Sequence, residues 1–441
     1  ITFAAQASIV TGAHPGQHWI SGNEMFDRTG QLLGGKPRHF GFSVGDTLAI
    51  QDAIGVFADD LADRALSQQV STIYERAAQQ GKTSLVAHHM YGRGADRVIR
   101  PNLVDIGRFT KGKGILGLEP AHYDGKMLAN LIKALDDFAP DLILAYFMGL
   151  DAQSHKKRPD TKSDYLINVL DPQIGELLDA LNEHNLDDGA LFVIVSDHGQ
   201  IATPGDDAHS IRLGFPFDME LSPLFHALGL DLHDLPGEAP NVDAVVALNG
   251  GLAHVHLRHR DDDWPVMPRY EEDVLPVAEA FWQMNQTGKY RDELKGTLEL
   301  ILLRDVRAAE SWQADYVAYL GGGQTQAFDA WLSERPALNY VDAVNRIKLA
   351  ASHMSGDMIL AARSVDGVYF GGAGLRGVHG SLSQADSSSV LTFAMPAAAE
   401  EDMRNLSTAI HDWVDQRCAA EGKRQPSIAD MAPVIERLWL A

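Results

Sequence analysis

Hydrophobic and polar positions follow two different rhythms along this chain. Up to about residue 209, short apolar runs alternate with longer stretches in which apolar residues recur every three or four positions. The runs Thr83–Ala87, Leu142–Phe147 and Leu191–Val195 have the length of buried strands and are too short for buried helices. The periodic stretches Asp46–Leu66, Val70–Gln80, Asp124–Phe138 and Tyr165–Leu186 predict helices, with stop signals at Gly81, Pro140 and Gly189. Ahead of them, Gln6–Val10 fits either a helix or a short strand, ended by Thr11-Gly12. Strands alternating with helices predict parallel βαβ units.

From about Ser210 to Ala351 glycines and prolines break this rhythm. Ala244–Leu248 and Ala253–Leu257 predict a hairpin around Asn249-Gly250, and Tyr270–Gln286 predicts a helix. Core texture returns with the strands Asp357–Ala362 and Val390–Phe393 and a closing helix Ile428–Leu440. The pattern divides the chain into an α/β core, residues 1–209 and 352–441, and an inserted α+β cap, residues 210–351.

The chemistry-bearing residues fall just past the predicted strands. Asp151 and His155 follow Leu142–Phe147, and Asp197 and His198 follow the apolar run of ALFVIVSDHG at 190–199. In open α/β sheets ligands collect outside the carboxyl ends of strands. A glycine-rich stretch, GGAGLRGVHG at 371–380, delivers His379. Carboxylates mixed with imidazoles, without a thiolate, favour zinc; manganese or iron also suits them. Two Asp/His pairs and a further His supply two metal sites, and paired metals can clamp the attacking and leaving oxygens of an in-line displacement. Thr2 supplies a hydroxyl that metal coordination would activate, and the Asn23 amide suits a developing oxyanion. His88, His89, Arg93 and Arg97, behind Thr83–Ala87, are placed to contact the non-transferred part of an anionic substrate.

Composition narrows the partners. The 441 residues carry 37 Lys and Arg against 60 Asp and Glu, a net charge of −23, which argues against a broad nucleic-acid face or adhesion to anionic membrane. A small phosphorylated or phosphonate ligand held by metals remains compatible with that charge. The one cysteine, Cys418, excludes an internal disulfide framework. No apolar stretch reaches the roughly 18 residues of a membrane span. The opening at Ile1, inside a motif, predicts residues upstream and leaves the compartment open between cytoplasm and periplasm. Oligomeric state is not legible.

The pieces ITFAAQASIVTGAHPGQHWISGN at 1–23, DAQSH at 151–155, SDHG at 196–199, GVHG at 377–380 and IADMAP at 428–433 together resemble the alkaline phosphatase superfamily. Within it they resemble the type I phosphodiesterase/nucleotide pyrophosphatase branch, which includes phosphonoacetate hydrolase. The resemblance spans both ends of the chain and skips most of 210–350. It implies an alkaline phosphatase-like three-layer sandwich with a mostly parallel central sheet. It implies Thr2 as nucleophile and metal ligand, Asn23 as the phosphate-contacting amide, Asp151, His155 and His379 on one zinc, and Asp197 and His198 on the other. The implied activity is two-zinc hydrolysis of a phosphodiester, pyrophosphate or phosphonate through a covalent phospho-threonine. A phosphotransferring mutase of the same superfamily and a non-catalytic metal-binding descendant are the alternatives. This chain departs from the family at Ala4-Ala5, where Pro-Asn is usual, and at Trp19, where Gly is usual. It has no residue at the position of a further Asp ligand upstream of the nucleophile, and no match to the paired lysines of phosphonoacetate hydrolase.

Overall fold

A computed structural model describes every residue except 43–49, 112–116, 215–218, 234, 240, 309, 396–397, 424 and 441. The start of the expected Asp46–Leu66 helix lies outside the described residues. Its remainder forms two helices, Ile50–Ala58 and Leu61–Ala65, separated at Asp60, whose φ of 50° is left-handed. Gln6–Val10 belongs to the helix Thr2–Thr11, which ends at Gly12 with φ 69°. The second expected helix runs from Ile73 to Gln79, and Thr72 and Glu75 satisfy its first amides reciprocally.

The strands that support the strand-end residues form two small groups. Arg97–Ile99, Ser84–Ala87 and Leu142–Ala145 pair in that order, all parallel. Phe192–Val195 pairs with Leu391–Ala394, and that pairing is antiparallel. Both groups lie between the same two helical layers. Leu142, Leu144, Val193 and Val195 pack on a core built from the Thr2–Thr11 and Ile73–Gln79 helices. Ile143, Ala145 and Phe192 pack on the other face against Met127, Leu131 and Leu181. The expected parallel strand ahead of Ser196 is thus corrected: it is half-buried and antiparallel to its partner. Periodicity within one strand cannot fix the direction of a neighbour almost two hundred residues away.

The largest sheet has seven strands, in the order 324–327, 316–321, 298–304, 358–362, 252–257, 244–249 and 232–233. Every pairing is antiparallel except the last, so parallel pairing describes the group Arg97–Ile99, Ser84–Ala87 and Leu142–Ala145 and not this sheet. The expected hairpin is present, with Ala244–Asn249 against Leu252–Leu257. Met358–Ala362, expected in the core beyond residue 352, instead pairs with Leu252–Leu257 and Leu298–Arg304 in the middle of this sheet. All five of its residues are buried, and an apolar run of that kind fits any sheet centre. The molecule is an α/β protein, and among the described residues no helix is long and apolar enough to cross a membrane.

Candidate metal centre

Asp151 and His155 lie one turn apart on the helix Gly149–Lys157 and so share a face. The start of that helix is fixed from outside. Asp124, fully buried on the helix Pro120–Leu135, accepts the Gly149 N–H at 3.0 and 3.1 Å and the Tyr165 hydroxyl at 2.9 Å. A Cβ at Gly149 would lie 1.9 Å from the Tyr165 oxygen, so only glycine fits there. Burial pushes the Asp124 carboxyl up to about 7, against the hydrogen bonds that favour its charged form.

His155 Nε2 lies 3.2 Å from Asp151 Oδ2 and 3.2 Å from His379 Nε2. His155 Nδ1 is 2.6 Å from the Gly377 carbonyl. A carbonyl only accepts, so Nδ1 carries a proton and Nε2 is the ring atom that faces Asp151 and His379. One ligand atom from each of Asp151, His155 and His379 falls within 4.8 Å of the others. Among the described residues this is the group of three or more metal-binding side chains that converges in this way. Burial would push Asp151 up, but His155, His379 and His198 hold its carboxyl well below the ordinary range. Two imidazole nitrogens converging with a carboxylate oxygen are the donor set of a zinc-type site. The fit is therefore good at Asp151, His155 and His379.

The second cluster adjoins the first. The His198 ring stacks on the His379 ring at 3.6 Å with an 18° tilt. Burial lowers the pKa of both imidazoles, that of His379 to well below the ordinary value. His198 Nδ1 is 2.9 Å from the Gly199 carbonyl, which leaves Nε2 as its acceptor. That Nε2 lies 3.5 Å from Asp197 Oδ2 and 3.1 Å from Thr2 Oγ1, whose hydroxyl therefore donates to it. Thr2 opens its helix, where unpaired amides and the macrodipole favour negative charge. Asn23 Oδ1 accepts the Phe3 N–H at 3.0 Å, which turns the amide's Nδ2 end away from the helix. A cavity of about 550 Å³ opens beside Asp197 and His198, with His14, Asn249 and Arg346 also in its walls.

The structure thus brings Thr2, Asn23, Asp151, His155, Asp197, His198 and His379 to one place. His88, His89, Arg93 and Arg97 are corrected, because their polar groups are committed elsewhere or buried. The guanidinium of Arg93 donates to the carbonyls of Leu66, Ser67 and Val70 and pairs with Glu75. Arg97 pairs with Asp137 at 2.6 Å. His88 is buried against the Tyr123 ring. His89 Nε2 meets Gln6 Oε1 at 2.8 Å, and Tyr91 in the same loop donates to the Phe3 carbonyl at 3.0 Å. This loop braces the helix that begins at Thr2.

Gln200 is a residue the sequence reading passed over. Its Nε2 donates to Asp151 Oδ1 at 2.6 Å, so the carboxylate is oriented by a side chain directly after the SDHG run. A buried amide following Gly199 was the available signal, but burial is not visible in sequence.

A family model described as type I phosphodiesterase / nucleotide pyrophosphatase matches residues 1–316. No curated protein sequence matches the chain. Among solved structures, the chain is similar to murine ectonucleotide pyrophosphatase / phosphodiesterase 5, at 14% identity and a TM-score of 0.49, over 89% of this chain and 76% of that one. It is also similar to phosphonoacetate hydrolase from Sinorhizobium meliloti 1021 in complex with phosphonoacetate, at 15% identity and a TM-score of 0.46, over 89% of this chain and 78% of that one.

Proposed function

Because the chain belongs to the type I phosphodiesterase / nucleotide pyrophosphatase family, we propose that it is a two-zinc hydrolase of phosphodiester, pyrophosphate or phosphonate bonds, with Thr2 as its nucleophile. One observation carries the reading. Thr2 Oγ1 touches His198, and His198 stacks on His379, which converges with His155 and Asp151. Nucleophile and both sets of ligands therefore share one wall.

Asp151, His155 and His379 would hold one ion, and Asp197, His198 and Thr2 the other. Bound there, the metals would lower the pKa of the attacking hydroxyl and neutralise charge on the phosphoryl group. The Thr2 hydroxyl gives up its proton as its oxygen attacks phosphorus, the bond to the leaving oxygen (for a phosphonate bond, the leaving carbon) breaks, the leaving group takes up a proton, and a phospho-threonine forms. Asn23 Nδ2 donates to an equatorial oxygen as its charge grows, while the helix N-terminus at Thr2 favours the same anion. Water then attacks phosphorus, and the Thr2 oxygen departs and regains its proton. Residues 210–351 are read as the insertion that shapes the substrate end of the cleft, although its sheet borrows Met358–Ala362 from the returning chain.

The test is a panel of nitrophenyl phosphate monoesters, diesters and phosphonates, with and without zinc, and mass analysis of protein quenched during turnover. Zinc-dependent diester or phosphonate cleavage with phosphate on Thr2 is expected. Cleavage without a phosphorylated intermediate in rapid-quench samples would replace Thr2 by direct attack of water. Transfer of the phosphoryl group to an acceptor without release would favour a mutase.

A further inference from the structure

The tip of the Ala244–Asn249/Leu252–Leu257 hairpin belongs to the seven-stranded sheet, yet it is wedged between two arms of the site. Asn249 is buried, and apart from a 3.4 Å bond from Nδ2 to the Ala247 carbonyl its carboxamide contacts go to the segment that carries Asn23. Its Oδ1 accepts the Asn23 N–H at 2.8 Å and the Glu24 N–H at 3.1 Å. Its Nδ2 donates to the Glu24 carbonyl at 2.9 Å. Two donors on one side and a carbonyl on the other admit one amide orientation only. A Cβ at Gly22 would lie 2.2 Å from Asn249 Oδ1, so the chain ahead of Asn23 is pressed against this side chain. On the opposite side, the Gly251 N–H donates to the His379 carbonyl at 3.1 Å. A Cβ at Gly250, whose φ is 65°, would meet that same oxygen at 1.9 Å.

We propose that Asn249 is the positioning residue of the Asn23 amide: its side chain fixes the backbone of Asn23, and the hairpin sets that amide at a constant offset from His379. Asn249 touches neither the reacting atoms nor a metal ligand's side chain among its hydrogen bonds. It acts only through the residue whose Nδ2 donates to the phosphoryl oxygen. The inference rests on the role of Asn23 given above.

A double-mutant cycle on zinc-loaded protein tests it, with bis(4-nitrophenyl) phosphate as substrate and calorimetric binding of inorganic phosphate as a second readout. Displacing a reacting contact by about 1 Å costs on the order of 10²-fold. Asn249→Ala is therefore expected to lower kcat by about 10- to 100-fold and to weaken phosphate binding, with zinc content unchanged. Because Asn249 acts through Asn23, the Asn23→Ala/Asn249→Ala double variant should be no slower than Asn23→Ala alone. Losses that simply multiply in the double variant overturn the proposal, as does a folded Asn249→Ala protein with parental kcat. Asn249→Ser, which keeps an acceptor oxygen, carries the same cycle if the alanine variant does not fold. Parental turnover by Asn23→Ala would remove Asn23 from the mechanism and the proposal with it. A slow Asn23→Ala beside a fast Asn249→Ala would remove the proposal alone.

Discussion

The seven-stranded sheet and the strands under the metal-ligand cluster are packed very differently. Met358–Ala362 is buried throughout, and five of the six residues of Ala244–Asn249 are buried. Leu142–Ala145 is only half-buried, and in Phe192–Val195 one residue, Ile194, is 55% exposed. Chemistry therefore sits on the looser layer. A cluster that must present lone pairs to an incoming ion and an anion cannot be sealed, since an unpaired buried polar group is costly. The tip of the Ala244–Asn249/Leu252–Leu257 hairpin is one place where the dense sheet reaches that cluster. The densest packing and the candidate metal ligands are housed in different sheets, and substitutions should sort accordingly.

The sharpest contrast comes from Thr2→Ala. Removal of a hydrolase nucleophile lowers kcat on the roughly 10⁶ scale, whereas the melting temperature should barely move, because Thr2 contributes little apolar surface. Steady-state kinetics beside thermal melting check this; an alanine variant within tenfold of the parent would show that water attacks directly. Leu360→Ala reverses the pattern. Leu360 is fully buried in the dense sheet, and such truncations cost about 2–5 kcal/mol of stability. Denaturant titration should show that loss, with kcat per folded molecule retained. Ile194→Ala, on the looser layer, should cost under about 1 kcal/mol.

Gln200→Leu separates metal affinity from folding. Loss of a side chain that orients a metal ligand typically costs about 10- to 100-fold in affinity. Zinc competition against a chelator should show this with the apo melting temperature unchanged; equal affinity would mean that Asp151 orients itself.

A pH signature is expected at Asp124. Its folded pKa, raised to about 7, exceeds the ordinary value of about 3.9, so the folded state holds the extra proton between these limits. Stability from this group is greatest at low pH and falls as pH rises from about 4 to 7. Asp124→Asn does not titrate. The melting temperature of the variant minus that of the parent should therefore rise between pH 5 and pH 8, and a difference independent of pH would show that the carboxyl ionises normally.

Much of the site was legible because its residues stand at the ends of apolar runs, where βαβ geometry concentrates ligands. That Asp151, His155, Asp197, His198 and His379 would meet follows from that placement and from the motif resemblance. What was not legible is non-local. Nothing in Leu391–Ala394 states that it runs antiparallel to Phe192–Val195, and nothing in Met358–Ala362 states which sheet it enters. Arg93 and Arg97 look like free cations in sequence, because their carbonyl and carboxylate partners lie 18 to 40 residues away. Asn249 reads as a turn residue, and its partners at Asn23 and Glu24 are more than two hundred residues upstream.

The acidic balance of the chain has a further consequence for behaviour in solution. A net charge of −23 makes copies of the protein repel one another. Ions shorten the reach of that repulsion to about 8 Å at physiological salt. Colloidal stability should therefore fall as salt rises, and concentrated stocks will keep longest at low ionic strength.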